Sequence, residues 1–587
     1  MITGITKKIE RLIVFFGQHR KYLVWGIIVT VLSNIIGMVA PWIVKVVIDQ
    51  LKENRATLTS LRLFAGLIVM LAIASGFFRF FMRRTIIWSS RIFEYDVRND
   101  FFRHLLNLPR SFYQKTPTGD IIARGSNDIE AIRMMAGPAV MQSMNSFITI
   151  SIALALMFVL SWKLTLIALS AVPIISIFTY RLVMQIHVKF YKIQEHFSKM
   201  TAFVQENISG VKVVKAFNQE KSQIDDFARL NKTYIDLNIS LAKTRGLFFP
   251  LIFSMVGMII LLLTYFGGRQ VISGSISLGT LVAFIFYLMH LVWPMIAVGW
   301  VVSLYQRGTA SMERIEKIMQ HQSEVADQGQ MSEQKPSRGE IKIKNLSFSY
   351  PDDNREILKD INISIPSGKT VAIVGPTGCG KTTLVNLILR TFRIPDDKIL
   401  IDGTDINKIS LADLRKSVGY VPQETFLFSQ SLKENILFGI DGLADSEVFT
   451  SAEIAGIKDE IEEFPKGFET IIGERGVTLS GGQKQRTALA RAIIKKPPVL
   501  ILDDAFSSVD TNTEEIILSR LRGVIESRTS IIISHRISTI KNADLIYVMD
   551  SGKIVASGNH DRLMETSEVY ARIVELQTLQ EQLEVTQ

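Results

Sequence analysis

LILDDAFSSVD, Leu500 to Asp510, runs four apolar residues straight into two adjacent carboxylates, Asp503 and Asp504, and then into a polar loop that ends in Asp510. The apolar run reads as a buried strand. In a parallel sheet, a strand that ends this way presents a Mg²⁺ partner and a water-activating acid at its carboxyl end. The alternative for this stretch alone is a core strand opening into a solvated loop, and the upstream sequence decides between them.

TVAIVGPTGCGKTT, Thr370 to Thr383, fits the pattern G-x-x-x-x-G-K-[ST] throughout, after a strand-like run and before the helical pattern LVNLIL. Gly375, Gly378 and Gly380 let backbone N–H groups wrap a triphosphate, and the following helix N-terminus adds its partial positive charge. Lys381 is placed to reach the β- and γ-phosphates, and the Thr382 hydroxyl to ligate Mg²⁺. Pro376, Thr377, Cys379 and Thr383 complete the cradle. Mg²⁺ and ATP are therefore the expected cofactor and substrate. A lysine at 381 and an acid-tipped strand at 503 suit a single sheet.

At 587 residues the chain holds roughly three to four domains' worth of sequence. A hydrophobic share of 48% and a charged share of 21%, with a mean hydropathy of +0.25, exceed what a soluble enzyme needs and point to a membrane protein with a soluble part. One cysteine, Cys379, rules out an intrachain disulfide framework and suits a reducing cytosol. The net charge of +10 is explained by cationic flanks beside membrane spans, so no nucleic-acid partner is expected.

Six stretches have the length and apolarity of bilayer-spanning helices: Tyr22–Ile48, Leu61–Trp88, Gly137–Leu160, Leu164–Val183, Leu247–Ile272 and Leu278–Leu304. Basic residues cluster before the first span and after the second, fourth and sixth, which places both ends of the region on the cytoplasmic side. Arg79–Leu108 and His187–Ile208 keep a helical rhythm beyond the membrane and predict long cytosolic projections, each ending in a turn, at Ser111–Asp120 and Lys215–Gln223. Residues 1–20 read as an interfacial helix, 21–320 as the transmembrane domain, 321–339 as a polar linker and 340–587 as an α/β nucleotide-binding domain. Asn34, Gln142, Asn145 and His290 are the polar span residues placed to face a lumen, the alternative being hydrogen bonds between helices. The C-terminal stretch from Val569 has helical spacing and is expected to pack on the cassette or on a partner.

Between the P-loop and the Asp503 strand lies VTLSGGQKQRTALARAI, Val477 to Ile493. Together with the P-loop it makes the chain resemble the ATP-binding cassette transporters, whose signature is LSGGQ, here Leu479 to Gln483. Six spans followed by one cassette resembles the half-transporter layout of the exporter branch, so the resemblance covers the whole chain. It implies that Tyr350 stacks on adenine, Gln423 ligates Mg²⁺, and His535 contacts the γ-phosphate. It further implies that Ser480, Gly481, Gly482 and Gln483 grip ATP bound to a partner subunit, with Asp510 contacting across the cassette interface. GERG, Gly473 to Gly476, is similar to the exporter loop that meets the coupling helices, which the resemblance places near Ser111–Thr116 and Ala216–Lys221. A dimer in the cytoplasmic membrane follows, alternating between inward- and outward-facing states.

One residue departs from the family pattern. Active members carry glutamate directly after the Mg²⁺ aspartate, and here that position is Asp504. With an intact signature and His535, this resembles the degenerate-site subunit of heterodimeric exporters. The alternatives are a homodimeric lipid or drug exporter in which aspartate suffices, and a gating subunit that binds ATP with little turnover. No acidic cluster or basic ring lies within the spans, which leaves amphipathic drugs, lipids and small peptides as substrate classes.

Overall fold

The computed structural model describes residues 17, 20–321, 323, 325, 327, 335–351, 353, 355–440, 442–473, 479–526 and 528–585. The expected interfacial helix, most of the linker and residues 474–476 of the GERG loop lie outside the described residues. The chain divides into two compact units, one of Met1–Leu106 and Thr116–His321, the other of Asn107–Lys115 and Gln322–Gln587.

The first unit is built from six long helices: α1 (Arg20–Lys52), α2 (Leu58–Asn107), α3 (Thr118–Leu160), α4 (Trp162–Ser209), α5 (Glu220–Ile272) and α6 (Leu278–Met319). Among the described residues, α1, α2, α3, α5 and α6 are long and apolar enough to cross a membrane. The predicted span Leu164–Val183 lies in α4, outside those five. With 50 residues in α2 and 48 in α4, both predicted projections continue as helix. At about 1.5 Å per residue each is more than twice as long as a bilayer core of about 30 Å.

The same holds for α3 and α5, whose polar extensions the apolar-run criterion passes over. Their reason is tertiary. Along α4 and α5, Lys189 Nζ donates to Thr244 Oγ1 at 2.7 Å and His196 Nε2 meets the Leu230 carbonyl at 2.8 Å. Phe203 stacks on Phe227 with ring centroids 6.4 Å apart. Each helix supplies the partner the other needs outside lipid. In α3, two π-helical turns, Arg124–Asp128 and Met135–Ala139, interrupt the α-helical pitch, the second around Pro138. At the end of the first, Asp128 accepts from Ser311 Oγ at 2.9 Å and Arg314 Nε at 2.9 Å, and between the two Arg133 lies 3.6 Å from the buried Glu94.

All four polar span residues hydrogen-bond to residues of the helices. Asn34 Nδ2 donates to Asn145 Oδ1 at 3.0 Å and Thr149 Oγ1 to Asn34 Oδ1 at 2.5 Å, a bridge between α1 and α3. Gln142 donates to Ser146 at 3.1 Å. His290 is exposed, with Nδ1 at 2.9 Å from the Phe286 carbonyl one turn earlier. The short helices at the two turns expected on the cytosolic side are Arg110–Lys115 and Val211–Ala216. The second lies earlier than the expected Ala216–Lys221. Gly210 ends α4 and Asn218, at φ +52°, turns the chain into α5, which has already begun at Glu220.

The second unit contains two sheets. β1 (Ile341–Phe348), β2 (Leu358–Ile365), β4 (Ile399–Ile401) and β5 (Thr404–Asp405) form an antiparallel sheet in the order β2-β1-β4-β5. The other sheet runs β10-β9-β3-β8-β7-β6, from β3 (Thr370–Val374), β6 (Val418–Val421), β7 (Val499–Asp503), β8 (Thr529–Ile533), β9 (Leu545–Asp550) and β10 (Lys553–Gly558). Only β10 is antiparallel in it. Every residue of β7 and β8 is buried, as continuous apolar runs in a parallel sheet require. β8 separates the P-loop strand from the acid-tipped strand, with Ile533 paired to both Ile373 and Asp503. Three loops therefore leave the sheet side by side at one edge.

Candidate nucleotide site

The loop after β3 leads into α7 (Lys381–Ile388). Gly375 and Gly380 are buried, and Gly380 sits at φ +107°, where a Cβ would lie 2.7 Å from Leu358. Pro376, Thr377 and Gly378 are exposed on the open side of the cradle. Lys381 is buried, its ammonium donating to the carbonyls of Gly375 at 2.7 Å and Pro376 at 3.0 Å. Phosphate oxygens can replace those carbonyls with a short swing of the side chain.

The Thr382 hydroxyl lies 3.4 Å from Asp503 Oδ1. Burial holds the Asp503 carboxyl above the usual carboxylate range, and the neighbouring Asp504 charge adds to that. Tyr420, on β6, donates to Asp503 Oδ2 at 3.5 Å, and burial followed by the Asp503 charge pushes its phenol up. A divalent cation relieves this cost, and hard oxygen donors from a hydroxyl and a carboxylate fit Mg²⁺. The glycine cradle, the lysine and this oxygen pair thus fit a Mg²⁺-nucleotide.

Asp504 adopts φ +50°, a left-handed conformation that aspartate enters more readily than most side chains. Its amide donates to the Ile533 carbonyl at 2.9 Å, tying it to the end of β8. Gln423 Nε2 donates to Asp504 Oδ2 at 3.3 Å, and His535 Nε2 lies 3.6 Å from the same oxygen. The Tyr350 hydroxyl meets Thr383 Oγ1 at 2.9 Å, and its ring packs edge-on against Phe348 and Phe392.

Residues 23–295 match the family described as the ABC transporter transmembrane region, and residues 358–507 the family described as ABC transporter. The chain belongs to the ABC transporter family. It is 34% identical over 566 residues to the "Probable multidrug resistance ABC transporter ATP-binding/permease protein YheI" of Bacillus subtilis, covering 96% of this chain and 97% of that protein. It is 35% identical over 482 residues to the "ATP-dependent lipid A-core flippase" of Desulfotalea psychrophila, covering 82% of this chain and 84% of that one. A solved bacterial Atm1-family ABC exporter with ATP bound superposes with a TM-score of 0.79 at 27% identity, covering 95% of this chain and 99% of that chain. The chain is an ABC exporter of the half-transporter type with an ATP-hydrolysing cassette, and such exporters function as dimers.

In this ABC transporter the signature residues bond at the start of their own helix and to Glu460. Ser480 caps α8 (Gly481–Ile494) and forms a capping box with Gln483, whose amide oxygen accepts from the Ser480 N–H at 2.9 Å. The Gln483 amide nitrogen donates to Glu460 at 2.9 Å. Both ends of that side chain are committed within the chain, whereas the expectation from the family had it gripping ATP. Gly481 and Gly482 pack against Ser508 in the loop before Asp510. Gln485, which the motif reading passes over, donates to Ser507 at 2.8 Å and accepts from the Ser508 N–H at 2.9 Å. No motif marks it in the sequence.

Cys379 is buried beside Lys381, its Sγ 3.9 Å from Nζ. Burial pushes the thiol above its usual range. The thiolate is the reactive form, so alkylation runs slower than at an exposed cysteine and accelerates as pH rises. N-ethylmaleimide is expected to label this residue slowly and abolish ATP binding in step. Complete labelling with unimpaired ATP affinity, read by equilibrium binding, contradicts the geometry described for the cradle.

Proposed function

We propose that the chain is one half of a heterodimeric exporter of amphipathic molecules in the cytoplasmic membrane, with cytosolic termini and cassette, and that it carries the weaker of two hydrolytic sites. Lys381 and the P-loop amides bind the triphosphate, and Tyr350 offers its ring to adenine. Thr382, Asp503 and Gln423 would hold Mg²⁺, which supplies charge neutralisation on the phosphates when bound. Asp504 orients the attacking water, and His535 contacts the γ-phosphate. Ser480, Gly481 and Gly482 complete the site on the partner's nucleotide, while Gln483 fixes their geometry. The helix Arg110–Lys115, which belongs to the same compact unit as the cassette, supports a coupling role for that turn. The relatives named for multidrug resistance and lipid A-core flipping support amphipathic substrates.

Asp504 carries the heterodimer reading. One methylene fewer than glutamate draws the carboxylate back by about an ångström, a misplacement that can cost on the order of 100-fold in rate. The test is ATP turnover of this chain purified alone, of Asp504→Glu, and of the chain co-assembled with a second half-transporter. Slow turnover alone, a rise of about 10- to 100-fold in Asp504→Glu, and fast turnover of the pair are expected. Robust unassisted turnover that the glutamate leaves unchanged favours a homodimer and sinks the degenerate-site reading.

A further inference from the structure

Among the buried carboxylates that the nucleotide site does not use, Glu514 is the one tied to the segment that carries His535. Glu514 is fully buried, in the first turn of α9 (Thr511–Ile525), the helix that Asp510 caps through the Thr513 N–H at 2.9 Å. It gathers three donors from the segment after His535: the Arg536 guanidinium, the Ser538 hydroxyl at 3.3 Å and the Thr539 hydroxyl. Arg536 Nη1 also donates to the Val509 carbonyl at 2.8 Å, inside the loop that packs on Gly481 and Gly482. From the far side, Gln577 of the C-terminal helix (Glu568–Val585) caps α10 (Ile537–Ile540) by accepting from the Ile537 N–H at 2.9 Å. The switch segment is thus clamped on two sides.

A buried carboxylate–guanidinium pair is weak evidence for stability, since apolar side chains of similar volume often serve as well. What the pair does here is geometric. The His535 segment leaves β8 and the Asp504–Asp510 loop leaves the adjacent β7, and Glu514 holds the first from the helix that follows the second. The two loops are thus joined through one buried carboxylate–guanidinium pair.

We propose that Glu514 is a positioning residue. Through Arg536 it locks His535 to the Asp510 loop, so that the histidine at this chain's P-loop site moves with the edge that completes the partner's site. The idea rests on the roles assigned above to His535 and Asp510. It predicts that losing the lock impairs turnover without impairing ATP binding.

The experiment uses the full chain in its assembled, membrane-reconstituted dimer, with Glu514→Gln, Arg536→Gln and the double variant, and His535→Ala in the full chain purified alone, where its own site supplies the turnover. Glu514→Gln preserves shape and removes the charge. It is expected to lower kcat by about 10- to 100-fold with KM for ATP within about twofold. The double variant should be no slower than the slower single, because both break one connection. Wild-type kcat in Glu514→Gln beside an impaired His535→Ala removes the lock and leaves the histidine's role standing. Parallel losses in melting temperature and ATP affinity, additive in the double variant, make Glu514 a stabilising residue only and overturn the proposal. Unchanged turnover in His535→Ala of the chain purified alone, where its own site supplies the hydrolysis, overturns the histidine's role and the lock built on it together.

Discussion

Glutamate in place of Gly481 is expected to lower ATP turnover of the assembled transporter by more than about 100-fold, while this chain still binds ATP at its own P-loop. Gly481 is the first residue of α8, exposed, with the Ser480 hydroxyl capping the helix beside it. A helix N-terminus favours an anion, so a carboxylate built into the chain settles where a partner-bound phosphate belongs and repels it. A Cβ at Gly481 also lies 3.1 Å from the Ser508 Cβ, tight enough to displace the loop that leads to Asp510. The helix itself gains from an acid in its first turn, so the chain should fold normally. The measurement pairs turnover with nucleotide binding. Turnover within a few-fold of wild type means that this signature completes no site.

Lys381→Ala is expected to weaken ATP binding by this chain, purified alone, by about 100-fold or more. Charge-assisted hydrogen bonds contribute about 1.5–3 kcal/mol each, and the ammonium is placed to make them to two phosphates. The side chain is buried and bonded to the Gly375 and Pro376 carbonyls, so part of any loss could come from a slackened loop. Lys381→Met, which keeps the apolar stem, separates the two effects. Equal losses in both variants assign the effect to charge. Near-normal affinity in Lys381→Ala shows that the loop amides alone hold the triphosphate.

The P-loop, the acid-tipped strand and the signature were legible because their chemistry sits at fixed spacing within single strand–loop or loop–helix units. Their placement at one sheet edge followed from parallel topology, although the intervening β8 did not. Tyr420, Gln485 and Glu514 were illegible for a shared reason. Each acts on a residue far away in sequence, and a tyrosine in a strand or a glutamate in a helix is ordinary until the fold brings its partner. Gln483 shows the reverse case, a motif residue whose side chain is spent on capping its own helix. The polar extensions of α3 and α5 escaped an apolarity criterion because packing against neighbouring helices holds them.

The compact unit that contains the cassette begins far upstream of it, with Asn107–Lys115, where Phe112 is buried and Arg110 Nη1 donates to Asn386 at 3.4 Å. The domain is therefore discontinuous. During synthesis its first piece leaves the ribosome long before the sheet that receives it, and a cassette expressed from residue 340 onward lacks that piece. Such a fragment loses the Arg110–Asn386 bond and the buried Phe112. Its solubility and stability should improve when a peptide spanning residues 107–115 is supplied in trans.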